Sequence, residues 1–173
     1  MVDKDNTTVI YFAYGSNMCE GRLKSRCPSA TVVSTATLTN HAFRWHKRSI
    51  DGSGKADAFE TDDPADMIFG VVFEVARNEK QALDLAEGLG DGYDEKQVMV
   101  IDGTGIEWCA VTYVADPNYI APSLKPYQWY RRFVIEGARQ HSLPAEYVAT
   151  ISSVEVVEDL NQERAEANSR LRC

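Results

Sequence analysis

Two short stretches carry residue types that could do chemistry together. The first is Tyr14-Gly15-Ser16-Asn17, which breaks the β-branched and aromatic run Val9 to Tyr14. Glycine there permits a close approach that a side chain would block, and Ser16 and Asn17 add a hydroxyl and an amide to free backbone N–H groups. If a helix starts at Ser16 or Asn17, its first amides lack internal partners and offer a seat for a carboxylate or a developing oxyanion. A plainer reading, a turn glycine followed by a helix cap, fits the tetrapeptide equally well. The stretch is too short for a phosphate loop, which needs a longer glycine-rich segment ending in Lys-Ser/Thr.

The second is Glu87, in the last turn of an amphipathic segment and directly before Gly88. The negative end of a helix macrodipole disfavours a second negative charge, which suits a carboxyl that must take up and return a proton. An ordinary solvated glutamate is the alternative, and Asp84 and Glu95 compete for the role. Gly88, Gly90 and Gly92 follow a helical pattern instead of a strand, which sets aside a dinucleotide fingerprint. Tyr130 shares a face with Phe133 and Val134, as a core tyrosine would. Cys19, one turn into the first helix, is a formal thiol nucleophile without a His near it in sequence. Arg22 can pair with a local carboxylate or bind one. His41, His46 and His141 are scattered, so no metal is expected, and "DAFETDDPAD" lacks calcium-loop spacing.

These residues need elements to hold them. Val9 to Tyr14 reads as a buried strand, and "NMCEGRLKSRCP" as a helix with Asn17 as cap, Glu20 three residues on and Pro28 as its end. Ala30 to Leu38 and His41 to Trp45 read as two strands joined by a turn at Thr39-Asn40, and Ala56 to Thr61 with Ile68 to Val75 as a strand pair. Asn78 is expected to cap a helix that Gly88 and Gly90 stop. Gln97 to Ile101 and Glu107 to Val114 form a hairpin around "DGTG", Pro126 opens a helix to about Gln140, and Pro144 starts a short one. The order of about six strands and three or four helices argues for an α+β domain on a mostly antiparallel sheet or small barrel. Its expected bounds are 9–157, between a frayed N-terminus at 1–8 and a charged helix or tail at 158–173.

Composition narrows the partners. With 173 residues, 44% hydrophobic and 25% charged, the chain has enough apolar content for a real core. A formal net charge of -8 without a basic stripe disfavours nucleic acid and anionic membrane surfaces. No apolar run approaches the roughly 20 residues of a spanning helix, and "MVDKDNTT" lacks the features of a secretory signal, so a cytoplasmic protein is expected. Cys19, Cys27, Cys109 and Cys173 match no zinc or disulfide-scaffold spacing and are read as reduced thiols.

Several ordered blocks together resemble the gamma-glutamylcyclotransferase family. "YFAYGSNM" is similar to its opening strand and loop, "RLKSRCPSA" to the helix and exit that follow, and "FGVVFEV" to the strand before its acidic helix. "LDLAEGLGDGY" resembles its catalytic Glu-Gly segment and "YRRFVIEGARQHSLPAEYV" its closing helices, so the likeness runs from Ile10 to Val148. The resemblance implies a small antiparallel barrel flanked by helices, and an enzyme that closes a gamma-glutamyl group to 5-oxoproline and frees the attached amine without a cofactor. It implies Glu87 as general acid/base, Tyr14, Gly15, Ser16 and Asn17 as the glutamyl-binding loop, and Tyr93 and Tyr130 as pocket walls. A homodimer would be unsurprising. The leaving amine stays open among an amino acid, a lysine side chain and a biosynthetic intermediate, and its choice is expected to rest on loops 48–55 and 118–125. A non-catalytic module that binds an acidic metabolite is the alternative from another class.

Overall fold

A computed structural model describes residues 7–173, so most of the segment expected to fray at 1–8 lies outside the described residues, and Thr8 already begins the first strand. Strands β1 (Thr8–Ala13), β2 (Thr31–Thr39), β5 (Met67–Ala76), β6 (Tyr93–Asp102) and β7 (Glu107–Ala115) close into a barrel in the order β1-β5-β2-β6-β7. All its ladders are antiparallel except the one that closes it, where β1 and β7 meet in parallel at Tyr11 and Val111. Strands β3 (His41–Arg48) and β4 (Gly54–Glu60) form a separate ribbon, giving seven strands among the described residues where about six were expected.

Pairing differs from the sequence expectation in two places. β2 and β3 do not make a hairpin: Asn40, at φ 58°, turns the chain out of the barrel, and β2 pairs with β5 and β6 while β3 pairs with β4. For the same reason β4 and β5 are not partners. Burial explains the outcome, since β5 runs through the barrel with Ile68, Val71, Val72, Phe73 and Val75 enclosed and needs barrel neighbours on both sides. The β6–β7 hairpin forms as expected, with Ile101 opposite Glu107.

Among the described residues five α-helices surround the sheets: α1 (Glu20–Lys24), α2 (Lys80–Glu87), α3 (Gln128–Gln140), α4 (Ala145–Ser152) and α5 (Gln162–Arg170). The helix expected from Asn17 is divided into a single 3-10 turn, Ser16–Met18, and the five-residue α1. α3 fixes that turn. It buries Tyr130, Phe133, Val134 and Ala138, and it approaches so closely that a Cβ on Gly137 would lie 2.5 Å from the Cys19 amide nitrogen. Only glycine allows this contact.

Cys19 and Cys173 form a disulfide across 154 residues, which corrects the expectation of four reduced thiols and removes Cys19 as a nucleophile. Cys27 and Cys109 remain free. Two cysteines so far apart carry no spacing signal; they meet because α5 returns the chain to α1, where Arg132 Nη2 donates to the Asn168 and Leu171 carbonyls at 2.8 and 3.2 Å. Closing a loop of this length stabilises a fold by up to about 5 kcal/mol on the chain-entropy model.

Candidate active site

The site lies where the exit of β1, the end of α2 and the start of β4 converge. β1 delivers Tyr14 and Gly15 at the barrel rim, and the 3-10 turn held by α3 buries Ser16 and Asn17 at 8% and 2% exposure. The N–H groups of Gly15, Ser16 and Asn17 have no protein acceptor among the described residues and remain free to donate. Asn17 is not a helix cap. Its amide points inward, donating from Nδ2 to Glu87 Oε1 at 2.6 Å and to the Tyr11 hydroxyl at 3.1 Å.

Glu87 ends α2, and Gly88 follows in the left-handed conformation at φ 71°, the stop that the sequence signalled. The helix starts after a 3-10 turn at Arg77–Glu79 without a side-chain cap, so Asn78 does not play the expected part. Glu87 Oε1 also receives Arg26 Nη1 at 3.3 Å, and the same nitrogen donates to Asn17 Oδ1 at 2.8 Å. Carboxylate, carboxamide and guanidinium thus form one triangle. Glu87 Oε2 has no hydrogen bond with the described residues and is left for a ligand. The competitors are engaged elsewhere: Lys80 pairs with both Asp84 and Glu95, and the Tyr113 hydroxyl donates to Asp84 at 2.6 Å.

Tyr93 and Tyr130 are both 6% exposed and meet at one peptide group. The Tyr93 hydroxyl donates to the Ala56 carbonyl, and the Tyr130 hydroxyl accepts from the Ala56 N–H at 3.2 Å. Tyr130 therefore keeps its own proton to give. Burial pushes its pKa up to about 12, opposed by the Ala56 N–H, so it is a neutral donor at ordinary pH. Tyr14 donates to the Tyr113 carbonyl, and burial, then Asp57, raises its pKa well above the usual value.

These groups enclose an inner cavity of about 20 Å³, bounded by Tyr14, Gly15, Asn17, Glu87, Tyr93 and Tyr130 together with Tyr11, Ala56 and Tyr113. It adjoins an outer chamber of about 90 Å³ that shares Glu87, Tyr93 and Tyr130 and adds Ser16, Arg22, Arg26, Lys47 and Lys55. All seven residues singled out in the sequence therefore border one or both spaces. Sequence reasoning missed Arg26, Lys47, Lys55, Tyr11 and Tyr113, which come from five different elements or loops and carry no local signal. Arg22 pairs with no carboxylate among the described residues: it donates to Ser16 Oγ at 3.1 Å and Asn168 Oδ1 at 3.0 Å, with its guanidinium 4.5 Å from the Phe133 ring centre.

Comparison with known proteins agrees with this architecture. A model of the AIG2-like family matches residues 67–151. The gamma-glutamylcyclotransferase of Bos taurus is 31% identical over 164 residues, spanning 88% of this chain and 81% of its own. Its Homo sapiens counterpart is 29% identical over 163 residues, spanning 87% and 81%. A solved gamma-glutamyl cyclotransferase superposes with a TM-score of 0.81 at 26% identity, covering 94% of this chain and 99% of that one. A yeast cyclotransferase described as specific to glutathione shares the fold, with a TM-score of 0.62 at 13% identity over 85% of this chain and 95% of its own. The chain belongs to the gamma-glutamylcyclotransferase family and is an enzyme of that class.

Proposed function

We propose that the protein closes the gamma-glutamyl group of a small substrate to 5-oxoproline, with Glu87 moving the protons. The observation that carries this reading is the contact between Asn17 Nδ2 and Glu87 Oε1 at 2.6 Å across 70 residues of sequence. It joins a carboxylate with one free oxygen to a loop with three free amides at the edge of a cavity.

The reaction needs little beyond positioning. The substrate's alpha-amine is tethered to its own gamma-carbonyl, so the protein must fold the glutamyl chain into a reactive rotamer and shuttle a proton. Glu87 Oε2 removes a proton from the alpha-ammonium, the amine nitrogen attacks the gamma-carbonyl carbon, and a tetrahedral oxyanion forms. Glu87 then returns that proton to the leaving nitrogen and takes the second proton from the ring nitrogen, so that collapse of the oxyanion breaks the original amide bond to give the neutral lactam and an amine, which accepts the second proton from Glu87 and departs as its ammonium. Asn17 and Arg26 hold Oε1 throughout, which keeps Oε2 aimed at the substrate. The amides of Gly15, Ser16 and Asn17 are donors for the substrate's alpha-carboxylate or the oxyanion, and the Tyr130 hydroxyl is a further donor.

The test is incubation of the protein with gamma-glutamyl-alanine and a panel of gamma-glutamyl amines, following 5-oxoproline by mass spectrometry. Release is expected from at least one of them, with kcat lowered at least ~10²-fold in a folded Glu87→Gln variant. Near-normal turnover by that variant would assign the proton transfer elsewhere.

A further inference from the structure

The outer chamber holds more positive charge than the proposed reaction uses. In a chain of formal net charge -8, Arg22, Arg26, Lys47 and Lys55 converge on a space with Glu87 as its sole carboxylate among the described residues. Three of these cations are occupied. Arg22 binds Ser16 and Asn168, Arg26 binds Asn17 and Glu87, and Lys55 donates to Asp51 Oδ2 at 2.7 Å and Ser53 Oγ at 2.6 Å.

Lys47 is different. It is 5% exposed, yet its Nζ makes no hydrogen bond or ion pair among the described residues, and it sits 4.4 Å from the centre of the Tyr93 ring. It is also backed by main chain, since a Cβ on Gly92 would lie 2.7 Å from Nζ. Burial pushes its pKa down, against the opposite pull of Glu87, Asp51 and Asp91. Of those carboxylates, Glu87 already has Arg26 and Asp51 already has Lys55. An ammonium buried without a counter-ion is costly, so one that faces a chamber is a site for a ligand anion.

Its position says which anion. Lys47 borders the outer chamber and not the inner cavity, while Glu87, Tyr93 and Tyr130 border both. With the glutamyl end facing the Gly15 to Asn17 loop and the scissile amide at the shared residues, whatever lies beside Lys47 belongs to the amine that leaves. We infer that the outer chamber is an anion subsite in which Lys47 determines specificity by binding a carboxylate carried by the leaving amine. This inference rests on the cyclisation proposed above.

Gamma-glutamyl-alanine and gamma-glutamyl-alaninamide share the glutamyl group and differ in replacing that carboxylate with a neutral carboxamide, so the pair isolates the subsite. Wild-type protein is expected to favour the acid roughly ten- to a hundredfold in kcat/KM, mainly through KM, the size of a hydrogen bond to a charged group. Lys47→Gln should reduce the preference to about threefold or less, and Lys47→Arg should retain most of it. Equal losses on both substrates, or no preference in the wild type, would overturn the assignment. The same two compounds titrated calorimetrically into the Glu87→Gln protein report binding without turnover. If the wild type cyclises neither these two nor any member of the amine panel, the cyclisation reading fails, and the calorimetry still decides the subsite: tighter binding of the acid supports it, and equal or absent binding overturns it.

Discussion

The inner cavity and the outer chamber share three residues but are made of different materials. Inside, besides the Asn17 carboxamide and the Glu87 carboxylate, the polar atoms are backbone amides and tyrosine hydroxyls, several fixed to peptide groups: Tyr14 to the Tyr113 carbonyl, and Tyr93 and Tyr130 to the Ala56 peptide. Outside, they are the tips of arginines and lysines at the ends of long stems. A tyrosine has two torsions to fix and a lysine four, so the inner wall loses little entropy in holding a geometry, whereas the outer wall can adapt. Ring closure demands placement of the reacting atoms within fractions of an ångström, and choosing among leaving amines demands mainly complementary charge. Under the proposed cyclisation, rate belongs to one space and selectivity to the other.

Glu87→Gln is the strongest way to break this division, because its predicted loss of at least ~10²-fold in kcat should be alike for acid and amide substrates. A loss confined to the acid would move Glu87 into the selective half. Asn17→Ala should come next. It removes the donor to Glu87 and Tyr11 and the acceptor for Arg26, which leaves the buried Tyr11 hydroxyl without its donor and Glu87 Oε1 held by Arg26 alone. At about 1–3 kcal/mol for an orphaned group, kcat is expected to fall roughly 5- to 150-fold on both substrates, with the fold checked by circular dichroism.

Gly15→Ala sharpens the comparison from the inner side. The new methyl would lie 3.4 Å from Ala56 Cβ and 3.5 Å from the Tyr130 hydroxyl, which are ordinary contacts, so the free protein should keep its melting temperature. The methyl takes room from a cavity of about 20 Å³, and KM is expected to rise about tenfold for acid and amide equally, where Lys47→Gln separates them. The smallest effect is one of pH. Burial pushes the Lys55 ammonium down to about 8, against the pull of Asp51 and together with Arg22 and Lys47. Raising pH through 8 removes its positive charge from the outer chamber, so the preference for the acid should fall by about two- to threefold between pH 7 and 9 as the local potential weakens. A preference that grows over that range would contradict a cationic selector.

Much of the inner half was legible in the sequence because its signals are local. A strand that breaks at Tyr14-Gly15-Ser16-Asn17, and a glutamate followed by a left-handed glycine, are each readable within a few residues. Asn17 was misread as a cap for the same reason: spacing to Glu20 cannot reveal a carboxylate 70 residues away that competes for the amide. The outer half was nearly silent. Lys47, Lys55 and Arg26 look like surface charges in a linear chain, and they meet Arg22 only because the β3–β4 ribbon, the end of α2 and the segment around α1 line one chamber. The ribbon was itself hidden, since alternation identifies a strand without naming its neighbour, and Asn40 decided that β3 would leave the barrel.

The bond between Cys19 and Cys173 has a consequence for covalent connectivity. Any peptide bond cut between those residues opens a ring instead of dividing the molecule, so a protease nick in the exposed turn between β4 and β5 would yield a protein that still travels as one species on a denaturing gel. Only after addition of thiol would two fragments appear. The loop that carries Gly15 and the helix that carries Glu87 would lie on different sides of the gap from some of their neighbours, yet remain parts of a single molecule.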